Sequence, residues 1–337
     1  MRPGNRSSVP ALVVGLNAVI LAVTDEQPRV LTVSFPVGSP IEGGSRFGGH
    51  AGEASRDGLP TGPLDAAGDR TLELALRRWV RTYAGIELGY VEQLYTFGDR
   101  FRDPRERFGG PRVISVAYLA LVRENVIEGH LQARWRGVYE YMPWEDWRNG
   151  PPRVLQREIE PVLRAWSEGG DPASEQRRER AGVAFGLDGA PWNGERVLER
   201  YELLFEIGLA AEASRDAGRP AGVRAIGREM AFDHRRILAT ALGRLRGKIK
   251  YRPVIFELVP ETFTLFQLQR TVEALAGVRL HKQNFRRLVD RGGLVEGTGS
   301  IEPMTGGRPA ELFRFRREVL RERQAPGVGL PGALQRY

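Results

Sequence analysis

The sequence predicts an α+β fold, in which strands, one helix and further strands are followed by a segment of different character. Residues 16–23 and 29–35 are apolar, β-branched runs separated by Asp25-Glu26-Gln27-Pro28, a pattern typical of a β-hairpin. From about residue 232 the pattern changes to helices with basic faces. A chain of 337 residues is long enough to bury a core in each of these two parts.

The predicted helix of the first part covers residues 71–83. Its apolar side chains recur at helical spacing, so one face can pack on a sheet, and Gly85 follows as a C-terminal cap. The apolar stripe consists of Leu72, Leu76, Trp79 and Val80. The other elements predicted before residue 230 are strands at 90–97 and 113–122, helices at 154–166 and 195–213, and loops at 38–58 and 169–180.

The composition excludes several kinds of site. The chain has no cysteine, which rules out disulfides, thiolate catalysis and Cys-ligated metals. Its four histidines are scattered along the sequence, so a histidine-built metal site is not expected. The apolar run 9–23 is shorter than the roughly 20 residues that a membrane-spanning helix needs. We therefore expect a cytoplasmic protein without a metal cofactor and without membrane contact.

The net charge of +8 is concentrated in one segment of the chain. Residues 230–323 contain 19 Lys and Arg against 10 Asp and Glu, which leaves the remainder close to neutral. A basic segment joined to a neutral one indicates a nucleic-acid-binding domain. The alternative is an ordinary solvated basic surface.

The order of elements in the basic segment is that of a winged helix-turn-helix. A helix at 232–246 precedes a second helix, which begins with a capping box between Thr264 and Gln267 and ends at Gly277. The elements after it are a third helix at 281–290 and two strand-like pieces at 294–296 and 311–316, around a turn at 306–309.

The third helix carries the side-chain types that recognise DNA bases. Lys and Arg bind guanine, and Gln and Asn bind adenine, in the major groove. An Arg at the tip of the wing can enter a narrow minor groove. A helical dimerisation or peptide-docking module with a basic face is the alternative. The candidate DNA-binding residues are Lys282, Gln283, Asn284, Arg286, Arg287 and Arg308.

The helix at 71–83 and the residues after it resemble the motif of the Nudix hydrolases, which cleave nucleoside diphosphate derivatives. Arg78, Gly85 and Ile86 match the Arg, the Gly and the following apolar position of that motif. Its three glutamates hold Mg²⁺ against a pyrophosphate in the family. In this sequence those glutamate positions are occupied by Trp79, Thr82 and Tyr83.

The resemblance implies a Nudix-like α/β/α sandwich that lacks its catalytic metal ligands. An aromatic ring, a hydroxyl and a phenol cannot replace three carboxylates on Mg²⁺. A residual hydrolase that uses Asp69, Glu73 and Glu92 stays open as an alternative.

Together the two halves resemble the Nudix-related transcriptional regulators of NAD metabolism, and in particular the proteobacterial branch that controls NAD synthesis. The resemblance is carried by residues 94–122, by MPWEDWRNGPP (142–152), and by TLFQLQRTVEAL, LHKQNFRRLVDRGGLVE and GGRPAELFRF in the basic segment. It implies an operator-binding repressor of double-stranded DNA whose Nudix-like domain senses an NAD-related nucleotide such as ADP-ribose. Because one winged helix offers a small interface, we expect a homodimer on an inverted repeat.

Arginines in the loop that follows residue 97 are expected to neutralise the phosphates of this nucleotide in place of Mg²⁺. An aromatic ring nearby would support its adenine. The alternatives are an exposed loop charge for each arginine and a core position for Phe97. The candidate effector-binding residues are Phe97, Arg100, Arg102, Arg105, Arg112 and Tyr118.

The predicted protein is therefore a repressor without enzymatic activity. The alternatives are an active Nudix-type nucleotide pyrophosphatase with an appended nucleic-acid-binding module, and an RNA-binding adaptor. The predicted parts are a Nudix-like effector-sensing domain at 10–168, a loop and helical linker at 169–229, a winged helix DNA-binding domain at 230–323 and a flexible tail at 324–337.

Overall fold

The computed structural model describes residues 12–36, 55–103, 106–107, 109–124, 127, 133–219, 225–302 and 309–329. Its strands are β1 (Leu12–Thr24), β2 (Gln27–Pro36), β3 (Ser55–Gly58), β4 (Thr61–Pro63), β5 (Tyr90–Phe97), β6 (Arg112–Leu121), β7 (Ala133–Gly137), β8 (Thr262–Phe263), β9 (Val295–Glu302) and β10 (Ala310–Phe315). Its α-helices are α1 (Leu72–Ala84), α2 (Val138–Tyr141), α3 (Glu160–Ser167), α4 (Ser174–Phe185), α5 (Val197–Glu206), α6 (Ala211–Asp216), α7 (His234–Ile249), α8 (Leu265–Ala276), α9 (Lys282–Gly292) and α10 (Val319–Glu322).

The first sheet is built around the predicted hairpin of β1 and β2. The chain turns at Asp25 and Glu26, both in the left-handed region with φ of 50° and 59°, as a two-residue hairpin turn requires. Beyond Leu21 the two strands separate, and β1 pairs with β4 while β2 pairs with β3 and β7. The other edge of β1 pairs in parallel with β6, which continues to β5. The sheet order is therefore β3-β2-β1-β6-β5.

This sheet has a helical layer on each face, which confirms the predicted α/β/α arrangement. Alternate residues of β1 point to opposite faces, as the two-residue period of a strand dictates. Ile20 packs in the core beneath α1, together with Leu76. Its neighbour Leu21 belongs to the second core, which contains Trp144 and Leu242 of α7.

Helix α1 begins and ends as the sequence predicts. The Thr71 side chain accepts a hydrogen bond from the Leu74 amide at 3.2 Å, and Gly85 caps the other end with φ of 68°. Trp79 is buried against β4, where a Cβ on Gly62 would overlap its indole ring. The residue at the first altered glutamate position therefore serves as a packing residue.

The winged helix-turn-helix also forms, from α8, α9 and a three-stranded sheet in the order β8-β10-β9. The capping box is complete: the Gln267 amide donates to Thr264 Oγ1 at 3.1 Å, and the Thr264 amide donates to Gln267 Oε1 at 2.8 Å. The first wing strand, β9, is longer than predicted, and β10 has the predicted length with its bounds shifted by one residue. The turn at 306–308, which includes Arg308, lies outside the described residues.

The helical segment between the two predicted domains differs from the prediction in two places. The helix predicted at 195–213 is divided into α5 and α6, because Gly208 adopts a left-handed conformation (φ 77°) that ends the first helix. The loop predicted at 169–180 contains the start of α4, whose charged first turns precede a buried end at Ala184 and Phe185. The charged residues at 174–180 resemble a surface loop in sequence, but the burial of Ala184 and Phe185 stabilises the whole segment as a helix.

Helix α7 lies between the sheet and the winged helix and contacts both. It packs on α5 and on β1, β5 and β6, and its later residues share a core with α8. The segment predicted as a flexible tail is packed against the protein at its start. Val328 is fully buried, and its amide donates to Ile249 O at 2.9 Å. The two parts of the protein are thus joined through α7 by a continuous apolar core.

A buried triad of charges joins the helical layer to the segment after β7. Glu145 Oε1 accepts from Arg200 Nε of α5 at 2.6 Å, and its Oε2 accepts from Arg246 Nη1 of α7 at 2.5 Å. All three side chains are buried. Burial alone would raise the pKa of Glu145, but the two guanidinium groups lower it below its ordinary value. The carboxylate is therefore ionised and shared.

The same segment fixes the end of α8. The Trp147 amide donates to Gly277 O at 2.7 Å, and the Tyr139 hydroxyl donates to Ala274 O at 2.6 Å. Arg246 Nε donates to Leu275 O at 2.9 Å. Gly277 has φ of 71°, and a Cβ there would overlap the carbonyl of Glu145, so this close approach requires glycine. The winged helix is thus held against the sheet domain in one orientation.

We predict that Glu145→Ala lowers the free energy of unfolding by about 3–5 kcal/mol, because two buried guanidinium groups lose the carboxylate that they share. Urea unfolding of the full chain, followed by tryptophan fluorescence, measures this loss. The control is Glu206→Ala, which removes an exposed ion pair with Arg180 and should cost no more than about 1 kcal/mol. Equal losses in the two variants would show that the buried triad contributes no more to stability than an exposed ion pair, which would contradict this prediction.

Candidate nucleic-acid interface and sensor site

Helix α9 presents one apolar and one polar face. Phe285 and Val289 are buried under α8 and the wing, which orients the helix. The residues on the other face are exposed, as predicted for a recognition helix. They are Lys282, Gln283, Asn284, Arg286 and Arg287.

Most of these exposed side chains are not engaged within the protein. Arg287 Nη2 donates to Asn284 Oδ1 at 3.3 Å, one helical turn away. Across the described part of the chain, Lys282, Gln283 and Arg286 have no side-chain hydrogen bond or ion pair. These donors are therefore available to an external partner at no cost in internal contacts.

The turn between α8 and α9 is held by Glu273, which the sequence did not single out. Its carboxylate accepts from Arg270 and Arg279, each at 2.8 Å, and from the Leu280 amide at 2.9 Å. Burial tends to raise the pKa of Glu273, but these hydrogen bonds outweigh it and lower the pKa. Because Leu280 leads directly into α9, this carboxylate fixes the angle at which α9 leaves α8.

The aromatic residues predicted to support an adenine ring lie in the core. Phe97 ends β5 in the buried cluster beneath α7. Tyr118 of β6 is buried on the opposite face, and its hydroxyl donates to Gln93 Oε1 at 3.2 Å. Phe97 thus occupies a core position, the alternative that the sequence left open for it, and Tyr118 is buried in the core on the other face of the sheet.

Among the predicted arginines, Arg102 has a structural partner. Its side chain is only 6% exposed and donates to both carboxylate oxygens of Asp233, at 2.6 and 3.0 Å, and to Ser115 Oγ at 2.6 Å. It therefore ties the loop after β5 to the first residue before α7. Arg100 and Arg112 are exposed, the former over the ring of Phe101.

Arg105 lies outside the described residues. A groove of about 1080 Å³ opens elsewhere, between the end of α7 and the base of the wing, where it is lined by residues such as Lys248, Phe256 and Arg314. The six predicted effector residues are therefore not brought together by this groove.

The carboxylates that a residual hydrolase would use each have a basic partner. Asp69 accepts from Arg78 at 2.8 and 2.9 Å, and this hydrogen bond lowers its pKa. Glu73 accepts from Arg77 at 2.9 Å. Glu92 lies 2.6 Å from Lys248 Nζ. Within the described ranges, no three His, Asp or Glu side chains are grouped as metal ligands.

His234, the first residue of α7, is buried beside the Arg102–Asp233 pair. Its Nδ1 accepts from the Leu59 amide at 2.9 Å, so the neutral ring carries its proton on Nε2. The Asn17 side-chain amide lies 3.1 Å from Nε2, and its Oδ1, which is buried without another partner, is the acceptor that this proton requires. Burial lowers the pKa of His234 well below 6.5, and the charges of Arg102 and Arg215 lower it further. A second ring proton would also face the Leu59 N–H.

We predict that the free energy of unfolding falls as the pH is lowered below about 6.5. The unfolded chain protonates His234 in this range while the folded chain does not, so protons favour unfolding with a slope approaching about 1.4 kcal/mol per pH unit. Urea unfolding between pH 7 and 5, above the range of ordinary carboxylates, measures the slope. His234→Gln should flatten it, whereas the exposed His281→Gln should not. A slope that persists in His234→Gln would contradict this assignment.

Sequence reasoning missed Glu145 and Glu273 as positioning residues. A signal for the first was present in MPWEDWRNGPP, where an acid stands among aromatic residues that are expected to be buried. A buried carboxylate requires a partner, and arginines are the ordinary choice. The partners Arg200 and Arg246 lie far away in sequence and only the fold identifies them.

No helix in the described ranges is long and apolar enough to cross a membrane.

The C-terminal part of the chain is similar to a known family of DNA-binding domains. Residues 255–315 match the family model of the NrtR DNA-binding winged helix domain. A stretch of 87 residues is 40% identical to the ADPR responsive transcriptional repressor NtrR of Acinetobacter baylyi, and it makes up 26% of this chain and 34% of that protein. The chain thus matches about a third of the length of this curated relative.

Solved structures resemble nearly the whole chain. NrtR of Shewanella oneidensis, complexed with a 27mer DNA, has a TM-score of 0.55 and 20% identity, over 96% of this chain and 99% of that one. A MutT/nudix family protein from Enterococcus faecalis has a TM-score of 0.51 and 16% identity, over 93% of this chain and 90% of that one. At these identities the likeness shows the fold: a Nudix-type sheet domain followed by a winged helix.

Proposed function

We propose that this chain is a transcriptional repressor of the NrtR kind, which binds operator DNA through α9 and senses ADP-ribose or a related nucleotide. The observation that carries the proposal is the exposed polar face of α9, which lies inside the residues that match the NrtR winged helix. The ADPR responsive repressor of Acinetobacter baylyi supports both the regulation and the effector. By resemblance, the regulated genes are those of NAD biosynthesis.

The proposed interface with DNA follows from the side chains of α9. Lys282 and Arg286 supply positive charge and bidentate donors for guanine, while Gln283 and Asn284 suit adenine. One such helix buries less surface than a specific site needs, so we propose a homodimer. Its two recognition helices would enter successive major grooves about 34–36 Å apart.

We propose that the Nudix-like domain binds its nucleotide without hydrolysing it and without a metal cofactor. Two features support this. Trp79 packs in the core at one motif position, and Asp69, Glu73 and Glu92 each have a basic partner. The curated relative from Acinetobacter baylyi is named a transcriptional repressor, which supports a role other than catalysis.

Helix α7 supplies a path from the sensor to the DNA-binding part. Its first residues contact Arg102 through Asp233, and its later residue Arg246 contacts both Glu145 and the end of α8. A nucleotide that engages the loop after β5 would therefore act on one end of a helix whose other end holds the winged helix. We propose this helix as the element that transmits the signal.

The experiment that tests the proposal is selection of genomic fragments by the full chain, with and without ADP-ribose, NAD or ATP. We expect enrichment of fragments that contain an inverted repeat near NAD biosynthesis genes, and a change in enrichment with one of the nucleotides. Preference for single-stranded RNA over duplex DNA would instead support the adaptor alternative.

Arg286→Ala should weaken operator binding by about 1–3 kcal/mol at a single base position if the side chain reads a guanine edge. If it contacts phosphate, binding should weaken evenly across sequences and the salt slope should fall by about one. Titrations of operator and scrambled duplexes at several salt concentrations separate these outcomes. The matched control is Arg164→Ala on α3, an exposed arginine far from α9 in sequence.

Full operator affinity after replacement of Lys282, Arg286 and Arg287 by alanine would contradict this placement of the recognition helix.

We predict that the full chain with Mg²⁺ or Mn²⁺ releases no AMP from ADP-ribose, because the motif carboxylates are absent and the remaining ones are paired. Chromatography of the reaction products measures this. Turnover in the ordinary enzymatic range of about 1–10³ s⁻¹ would favour the pyrophosphatase alternative. In that case Glu73→Gln should abolish turnover, while Glu206→Gln on α5 should leave it unchanged.

A further inference from the structure

A cluster of arginines surrounds one buried carboxylate at the edge of the sheet. Asp57 of β3 is 3% exposed, and its Oδ2 accepts from the Tyr141 hydroxyl at 2.8 Å. Arg228 Nε lies 2.8 Å from the same oxygen. This acceptor is thus already occupied by two donors.

Two further arginines, both on β7, lie near the same carboxylate without forming a hydrogen bond to it. Arg134 Nε lies 3.9 Å from Asp57 Oδ1, and Arg136 Nε lies 3.5 Å from Oδ2. The two residues are two positions apart on one strand, so they share a face. Arg134 donates one bond to Ser34 Oγ at 2.9 Å. The Arg136 Nε atom is buried and, beyond this 3.5 Å approach to Asp57, makes no hydrogen bond among the described residues.

The charges of this cluster do not balance. Arg134, Arg136 and Arg228 face Asp57 and, at 3.7 Å from Arg228, Glu140. Among the described residues one positive charge is therefore in excess, and the neighbouring pair of Arg56 and Glu229 adds none. Buried guanidinium donors are stable only when an acceptor faces them. Within the part of the chain that the structure describes, this cluster thus has one anion fewer than its arginines could pair with.

We propose that Arg134, Arg136 and Arg228 bind the phosphate groups of the nucleotide effector. The inference rests on the proposed function and assigns its phosphate subsite to this cluster, away from the loop after β5. Arg134 and Arg228 are 46% and 45% exposed, so an anion can reach them from solvent. Guanidinium groups bind phosphate oxygens bidentately, which suits a pyrophosphate that spans the two arginines of β7.

A small ligand fits the cluster better than a DNA backbone. Asp57 and Tyr141 are buried and hydrogen-bonded to each other at the base of the cluster, and the buried Arg136 Nε atom faces Asp57. The site also contacts the start of α7, because the Ala231 amide donates to Asp57 O at 2.8 Å and Arg228 precedes that residue by three positions. An anion held here would therefore act on the same end of α7 as the Arg102–Asp233 pair.

Calorimetry of the full chain with inorganic pyrophosphate and with ADP-ribose tests the site. In Arg134→Gln/Arg136→Gln the affinity for both probes should fall at least about tenfold, since charge-assisted hydrogen bonds are lost. The control is Arg164→Gln/Arg180→Gln, which neutralises two exposed arginines of α3 and α4 and should leave both affinities unchanged. Arg134→Lys/Arg136→Lys keeps the charge without the planar fork and should bind with intermediate affinity.

The outcomes separate the site from the function. Wild-type affinity of the Gln variant for both probes overturns the subsite, and the repressor proposal stands if the nucleotide still alters DNA binding. Pyrophosphate binding that depends on these arginines, without any nucleotide binding, supports the anion site and overturns the proposed sensing. A Gln variant that loses DNA affinity in the absence of nucleotide assigns the cluster to DNA and overturns the subsite.

Discussion

The arrangement of the protein depends on the carboxylate of Glu145, which two buried arginines share. Removing three charges from water costs several kcal/mol for each ion, and only complete pairing in the right geometry offsets that cost. The geometry requires α5, α7 and the segment after β7 to be in place together. The segment after β7 also forms hydrogen bonds with the end of α8. The orientation of the winged helix therefore depends on the pairing of Glu145 with its two arginines. The recognition helix is thus placed by an interaction far from its own surface.

The Nudix-like domain that we propose as the sensor uses its charged side chains to pair with one another and to join structural elements. At one former ligand position, Trp79 fills the space between α1 and β4. Basic side chains neutralise the acids that remain, as Arg78 does for Asp69. Other arginines hold elements together: Arg102 ties a loop to α7, and Arg228 ties the start of α7 to Asp57. The arginines of this domain therefore neutralise its remaining acids and hold its elements together.

Local signals in the sequence predicted much of the fold. The hairpin at Asp25 and Glu26, the capping box at Thr264 and the glycine cap at Gly85 depend on neighbouring residues alone, and all three formed. The exposed face of α9 followed from helical spacing. The roles of Arg102 and Glu145 were missed because their partners lie 131 and 101 residues away, and no local pattern encodes such a pairing. The predicted effector residues stay a prediction, since a ligand-binding arginine and a structural arginine look alike in sequence.

We propose that this chain couples nucleotide binding to DNA binding through α7. Thermodynamic reciprocity tests it most directly, because an effector that alters operator affinity must have its own affinity altered by the same factor. Calorimetry with ADP-ribose on the full chain, free and saturated with operator duplex, measures that factor. We predict a change of about 5- to 150-fold, equal to the change in operator affinity that ADP-ribose produces. An affinity for ADP-ribose that is identical with and without the duplex would contradict this coupling.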